Sequence, residues 1–258
     1  KSEGLFIRCA VKPIRHEGLY GLLIDCGRKY YTVAEFKTII DTLSEYGYNA
    51  LWLHFSEEMG LRVESKKYPW LAGSDDSLCI EQGITDTDEG KYLTQEDMTE
   101  VVVYAFANGI EIIPSFDSPG HMNYIVKKYN EHYNTDIGNY YHYNGRTLIV
   151  QGSGNTAYSR GIDISNPTAV DFVKNLIAEY AIFFYSLGCT KFDIGGDELL
   201  GWGARIDSSK PRWQQLDHWK AKAISDTGNN KAVAYDCFLS YMNDIKALIK
   251  GIGYEYAL

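Results

Sequence analysis

The chain has 258 residues, enough for one large α/β domain or a substantial part of one. With 45% hydrophobic and 23% charged residues it can build a core, which argues against disorder. Its 34 acidic against 25 basic side chains give a formal net charge of -9, which argues against a nucleic-acid surface.

In chain order, residues 21–25 form a short apolar run with strand character that ends in Cys26-Gly-Arg28. Thr32 and Glu35 are spaced as a capping box, and Phe36, Ile39, Ile40 and Leu43 follow at helical spacing up to Gly47. Residues 49–55, which include His54, read as a second buried strand, so strand, helix and strand fall within one βαβ unit. Residues 56–92 are irregular and glycine-rich, with an acidic segment that reads as a surface excursion; loops of this length are often functional. Thr94 opens another helix whose apolar side is Met98, Val101, Val102 and Ala105, and Asn108-Gly109 ends it. A third strand over 110–116 closes on Asp117-Ser-Pro-Gly-His121. Residues 123–160, rich in Tyr, Asn and Gly, read as a second long excursion. Ser165-Asn-Pro167 starts a helix with Val170, Val173, Ile177, Tyr180 and Phe184 on its apolar face, ended by Gly188. The fourth strand, 190–194, runs into Gly195-Gly-Asp-Glu198. A helix near 214–224, a last helix through Phe238, Met242, Ile245 and Leu248, and a short fifth strand over 253–258 complete the pattern.

Alternating strands and helices predict a parallel sheet covered by helices. Arg28, Glu57, His121, Asp197 and Glu198 all sit at or after the C-terminal end of a strand, where an α/β barrel gathers its site. The expected fold is therefore α/β, a TIM (β/α)8-type barrel. Only about four and a half units are visible, so the reading is one domain over 1–258 holding about the first half of a barrel plus long loop insertions, cut short at its C-terminal end. An open fifth strand should be covered by a partner chain, a second copy or further residues. Each residue also has a plainer explanation. The Gly-Asp sequence is an ordinary turn, Arg28 suits a surface salt bridge, and His54 suits a buried hydrogen bond. Trp202 suits a core or surface ring. The 5 cysteines are widely spaced without a C-x-x-C pair, which points away from zinc or redox chemistry. No run reaches about 18 apolar residues, and no signal peptide is read at the start.

Five stretches carry a family resemblance. They are residues 23–31, 49–58 and 92–97, Asp117-Ser-Pro-Gly-His121, and Gly195-Gly-Asp-Glu198. In this order they resemble the catalytic domain of glycoside hydrolase family 20, the β-N-acetylhexosaminidases and lacto-N-biosidases. The resemblance implies retaining hydrolysis in which the substrate's own 2-acetamido group is the nucleophile, an exception to the two-carboxylate scheme. It assigns Glu198 as general acid and then base, and Asp197 as the group that orients the acetamide. It further implies that Arg28 grips sugar hydroxyls and that Glu57 and His121 form a relay behind Glu198. Asp117, His54 and Trp202 complete the implied substrate-binding set. No cofactor or metal is implied, and a carboxylate metal site from Glu57, Asp117, Asp197 and Glu198 is the lesser reading. The expected partner is a glycan with β-linked N-acetylhexosamine, and the expected location is secreted or at the cell surface. Alternatives are a lacto-N-biosidase that releases a disaccharide, and a carbohydrate-binding remnant without catalysis. Two departures stand out: Glu57 and Glu58 replace the two aspartates common in the family, and Asp193 replaces a common histidine.

Overall fold

The computed structural model of the chain describes residues 18–75, 78, 90–149, 161–196, 198 and 206–258. Its helices begin where the sequence supplies caps. Helix α1 (Val33–Glu45) starts at Thr32, whose hydroxyl accepts the Glu35 amide while the Glu35 carboxylate accepts the Thr32 amide. Helix α2 (Gln95–Ala107) repeats this box with Thr94 and Asp97. Helix α4 (Pro167–Ser186) is capped by Asn166 and has its proline in the first turn, where no amide donor is missed. In α1, Phe36, Ile40 and Leu43 are buried, the spacing of one helix face.

Strands β1 (Gly21–Asp25), β2 (Ala50–His54) and β6 (Glu111–Ser115) pair in parallel in the order β1-β2-β6. A parallel bridge from Ser115 to Asp193 joins them to β9 (Lys191–Phe192), which pairs in parallel with β10 (Tyr256–Ala257). The result is one open run of five parallel strands with helices between them. Among the described residues no strand joins β10 back to β1, so the ring is not closed. The fourth and fifth strands are shorter than the sequence pattern implied, at two residues each.

Both long excursions carry structure that was not expected. Strands β3 (Ser56–Glu57), β4 (Gly60–Leu61) and β5 (Gly73–Ser74) form a small antiparallel sheet. Met59, Leu61, Arg62, Val63 and Leu71 are buried with them, so this stretch is core and not surface; most of its acidic segment lies outside the described residues. The second excursion holds helix α3 (Asn123–Tyr133) and the antiparallel pair β7 (Tyr140–Tyr143) and β8 (Arg146–Ile149). The buried side of α3 is Asn123, Tyr124, Ile125, Val126 and Tyr129, too polar to show as an apolar stripe. The hairpin did announce itself. Asn144 and Gly145, both at positive φ, form the Asn-Gly turn that two-residue hairpins prefer. The helix expected near 214–224 is a 3-10 turn, Arg212–Gln215, followed by α5 (Asp217–Thr227), and α6 (Ala234–Ile252) precedes β10.

The core lies between sheet and helices. Phe55 packs against Phe116, Tyr180 and Phe184, joining the ends of β2 and β6 to α4. Tyr180 places its ring here and donates its hydroxyl hydrogen to the Val63 carbonyl at 2.7 Å, so its polar end is satisfied. Cys26, Cys189 and Cys237 are buried free thiols. No helix among the described residues is long and apolar enough to cross a membrane.

Candidate active site

The site is built at the C-terminal ends of the parallel strands. After β1 the chain turns through Gly27, where an added Cβ would stand 2.4 Å from the Glu57 Cβ. The missing side chain is what lets the Glu57 backbone and stem come so close. Arg28 then directs Nη1 to Asp25 Oδ2 at 2.6 Å and Nη2 to Glu57 Oε1 at 2.7 Å. The ion-pair explanation of Arg28 is thus correct as far as it goes, but the pair is largely buried and belongs to the site. Its Nε is buried without a hydrogen bond. Burial opposes its charge, while Glu57 and Asp25 outweigh that and push its pKa up.

Glu57 is the centre of the cluster and only 3% exposed. His121 Nδ1 lies 2.8 Å from Glu57 Oε1, and His54 Nε2 lies 3.9 Å from the same oxygen. The other carboxylate oxygen accepts the Glu58 amide. Burial works against ionisation of Glu57. The contacts with His121 and His54 and the charges of His121 and Arg28 outweigh it and bring its pKa down to about 2. His54 is shifted up: burial opposes its charged form, but Glu57, Asp25 and Asp193 favour it. The extra methylene of Glu57 relative to an aspartate thus leaves its carboxylate in contact with His121. Gly27 gives it room.

His121 is 3% exposed and sits at φ 50, an uncommon conformation for a side chain with a Cβ. Its Nε2 faces Glu198 Oε2 at 3.6 Å. Glu198 is itself at φ 40, with its side chain 51% exposed. It follows a turn through Gly195 and Gly196, at φ 62 and 105. Two aspartates hold that turn. Asp193 Oδ1 accepts the Gly195 amide at 3.0 Å, and Asp117 Oδ1 accepts the Gly196 amide at 3.0 Å. Asp117 is 1% exposed, and its own amide donates to Ser56 Oγ at 2.9 Å. The structure therefore brings together Arg28, His54, Glu57, Asp117, His121 and Glu198. Asp197 and Trp202 lie outside the described residues.

Arg28, Glu57, His121 and Glu198 thus form a chain of polar contacts from a half-buried guanidinium to a solvent-accessible carboxyl. Such a chain can orient the outer carboxyl, which is what a general acid/base needs. Ligand atoms of His54, Glu57 and Asp117, and of Glu57, Glu58 and His121, lie within 4.8 Å of one another, close enough to share a cation. A metal would have to displace Arg28 and His121 from Glu57 Oε1, so the donor set suits an ion-pair cluster better than a metal centre. The sequence pattern did not single out Asp25, Ser115 or the buried Arg62, whose Nη1 donates to the Lys91 carbonyl at 2.8 Å.

The profile of "Glycosyl hydrolase family 20, catalytic domain" matches residues 19–256. The chain belongs to glycosyl hydrolase family 20. It is 32% identical over 215 residues to a β-N-acetylhexosaminidase of Cellulomonas fimi, a match covering 81% of this chain and 37% of that protein. It is 31% identical over 163 residues to a lacto-N-biosidase of Bifidobacterium bifidum, covering 63% of this chain and 12% of that protein. Among solved structures it is similar to a family 20 exo-β-N-acetylglucosaminidase from Vibrio harveyi in complex with N-acetylglucosamine. That likeness has a TM-score of 0.69 over 92% of this chain and 34% of that chain; at 20% identity it speaks for the fold. The chain spans well under half the length of each of these family 20 proteins.

Proposed function

We propose that this chain carries the acid/base half of a family 20 β-N-acetylhexosaminidase, which removes terminal β-linked N-acetylhexosamine from glycans. The five parallel strands are read as the first half of a (β/α)8 barrel, and the site occupies its C-terminal face. The observation that carries the reading is the contact of His121 Nε2 with Glu198 Oε2 at 3.6 Å, backed by Glu57 and Arg28.

In this mechanism protonated Glu198 gives its proton to the glycosidic oxygen as the bond to C1 breaks. The acetamide carbonyl oxygen of the same sugar attacks C1 and forms an oxazolinium ion, with Asp197 holding the acetamide N–H. Glu198, now a carboxylate, takes a proton from water as that water opens the ring, so retention results and the acid is restored. The half-exposed Glu198 suits a group that must meet both leaving group and water. Asp117 and Asp193 fix the turn that aims it.

Substrates with good and poor leaving groups test the assignment. Glu198→Gln should slow cleavage of N-acetylchitobiose by roughly 10²–10⁴-fold. It should slow cleavage of the nitrophenyl glycoside, whose leaving group needs no proton, far less. Equal slowing of both would remove Glu198 as the acid. Trapping a glycosyl ester on any Asp or Glu would rule out the acetamide as nucleophile. A disaccharide-releasing activity is the second reading, favoured by the lacto-N-biosidase relative, and the released product from a tetrasaccharide decides between them.

A further inference from the structure

Asp193 stands where a histidine is common in the family, and the mechanism above uses it only to hold a turn. Its surroundings assign it more. The strand registers place Asp25 opposite His54, His54 opposite Ser115, and Ser115 opposite Asp193. These four residues form one lateral row across four parallel strands at the end of the sheet that carries the site. Residues in such a row point to the same face and reach one another. Ser115 Oγ donates to Asp193 Oδ2 at 3.0 Å, and His54 Nδ1 is 2.9 Å from Ser115 Oγ.

We propose that Asp193 is a positioning residue that sets the tautomer of His54 through Ser115, and thereby the charge that His54 presents to Glu57 behind Glu198. An ionised carboxylate only accepts, and a hydroxyl has one hydrogen to give. Ser115 spends its hydrogen on Asp193, so it accepts from His54, and the proton of the neutral ring sits on Nδ1. The bare Nε2 then faces Glu57 Oε1 at 3.9 Å, acceptor toward acceptor. That contact becomes attractive only when Nε2 takes up a proton. The row therefore favours the imidazolium form of His54, in keeping with its upward pKa shift, to which burial is opposed and Glu57, Asp25 and Asp193 contribute. Those three carboxylates face the ring from β3, β1 and the residue after β9, and Asp117, two residues after β6, brings a carboxylate oxygen within 4.8 Å of it.

Glu57 Oε1 is shared by Arg28, His121 and His54. Charge on His54 therefore bears on Glu57 and, through Glu57 Oε1, on the His121 ring 2.8 Å away. His121 Nε2 in turn faces Glu198 Oε2 at 3.6 Å, so the row connects to the outer carboxyl. The consequence for Glu198 rests on the proposed acid/base role; the tautomer does not.

The Gly195 amide still needs an acceptor in Asp193→Asn, so the new amide keeps its oxygen there and turns its NH₂ to Ser115. Ser115 must then accept from it and give its own hydrogen to His54 Nδ1, which moves the ring proton to Nε2. The test is ¹⁵N NMR of histidine-labelled protein above the His54 titration, with His54 assigned by its loss in His54→Gln. The expected result is an Nδ1–H ring in wild type and an Nε2–H ring in Asp193→Asn. An Nε2–H ring in wild type overturns the proposal whatever the activity, and it does so even if the variant fails to fold. Ser115→Ala keeps the Asp193 charge and cuts the link. If the glycosidase reading holds, both variants should move the basic limb of the kcat/KM profile, and in the same direction. A limb that moves in Asp193→Asn but not in Ser115→Ala would show action through space and overturn the role given to Ser115.

Discussion

Glu57 keeps its charge while almost wholly buried, because Arg28, His121 and His54 converge on it. This has a consequence for stability against pH. Its pKa is lowered on folding from 4.5 to about 2. A depressed carboxylate contributes stability that is fully present above its unfolded pKa and is lost as pH falls through its folded one. The shift corresponds to roughly 3 kcal/mol at most, lost between about pH 4.5 and 2. Wild type should lose melting temperature steeply over that window, and Glu57→Gln should show a shallower slope there from a lower starting point. Parallel slopes in the two proteins would mean that Glu57 is not linked to folding in this way. At this scale the sequence was informative wherever a residue follows a strand, as Arg28 and His121 do, since a parallel sheet sends all such residues to one end. It was silent on Ser115 and left Asp193 unexplained, because their roles depend on register between strands distant in sequence. Asp193 is 78 residues from its partner Ser115.

The element that decides the site is the turn after β9. Gly195 has φ 62, and an added Cβ there would lie 2.3 Å from Asp117 Oδ1 and 2.8 Å from the Asp117 Cα. Alanine at Gly195 is thus strained in its backbone and also pushes Asp117 off the Gly196 amide. Gly109, which ends α2 at φ 76, has nothing within 4 Å of an added Cβ. It isolates the backbone cost alone, about 1–3 kcal/mol. Gly109→Ala should lower stability by that amount and leave kcat/KM as it was. Gly195→Ala should lower stability at least as much and reduce kcat/KM by roughly 10²-fold, the cost of a small displacement of a catalytic group. Equal activity in the two variants, measured on the nitrophenyl glycoside, would mean that the turn does not aim Glu198. Elements were legible in the sequence where local chemistry specified them. Thr32, Thr94 and Asn166 each cap the helix that follows. Strands of two residues leave no periodicity to read, and the tyrosines and asparagine on the buried side of α3 hid its pattern.

At the scale of the molecule, alternation of strand and helix sufficed to foresee the parallel order, because each βα unit specifies its own crossover. The count of units implies an open fifth strand, but what lies against the two outer strands is not written in the pattern. Among the described residues β1 pairs only with β2, and β10 only with β9. On β1, Leu22 and Leu23 are consecutive and therefore face opposite sides of the sheet, yet they are 41% and 55% exposed. At the other edge Tyr256 and Leu258 are 53% and 45% exposed. An outer strand with apolar side chains open on both faces is a template for another strand. We expect the 258-residue chain by itself to associate through the β1 edge, with light-scattering mass rising as concentration rises. A lysine at position 23 should oppose this, because a charge on an edge strand is costly to bury against a second copy. Leu23→Lys should therefore shift the mass toward that of one chain, while Tyr46→Lys, a change to an exposed side chain at the end of α1, should not. A wild-type mass that stays at one chain across the whole concentration range would show that the β1 edge is not an association surface.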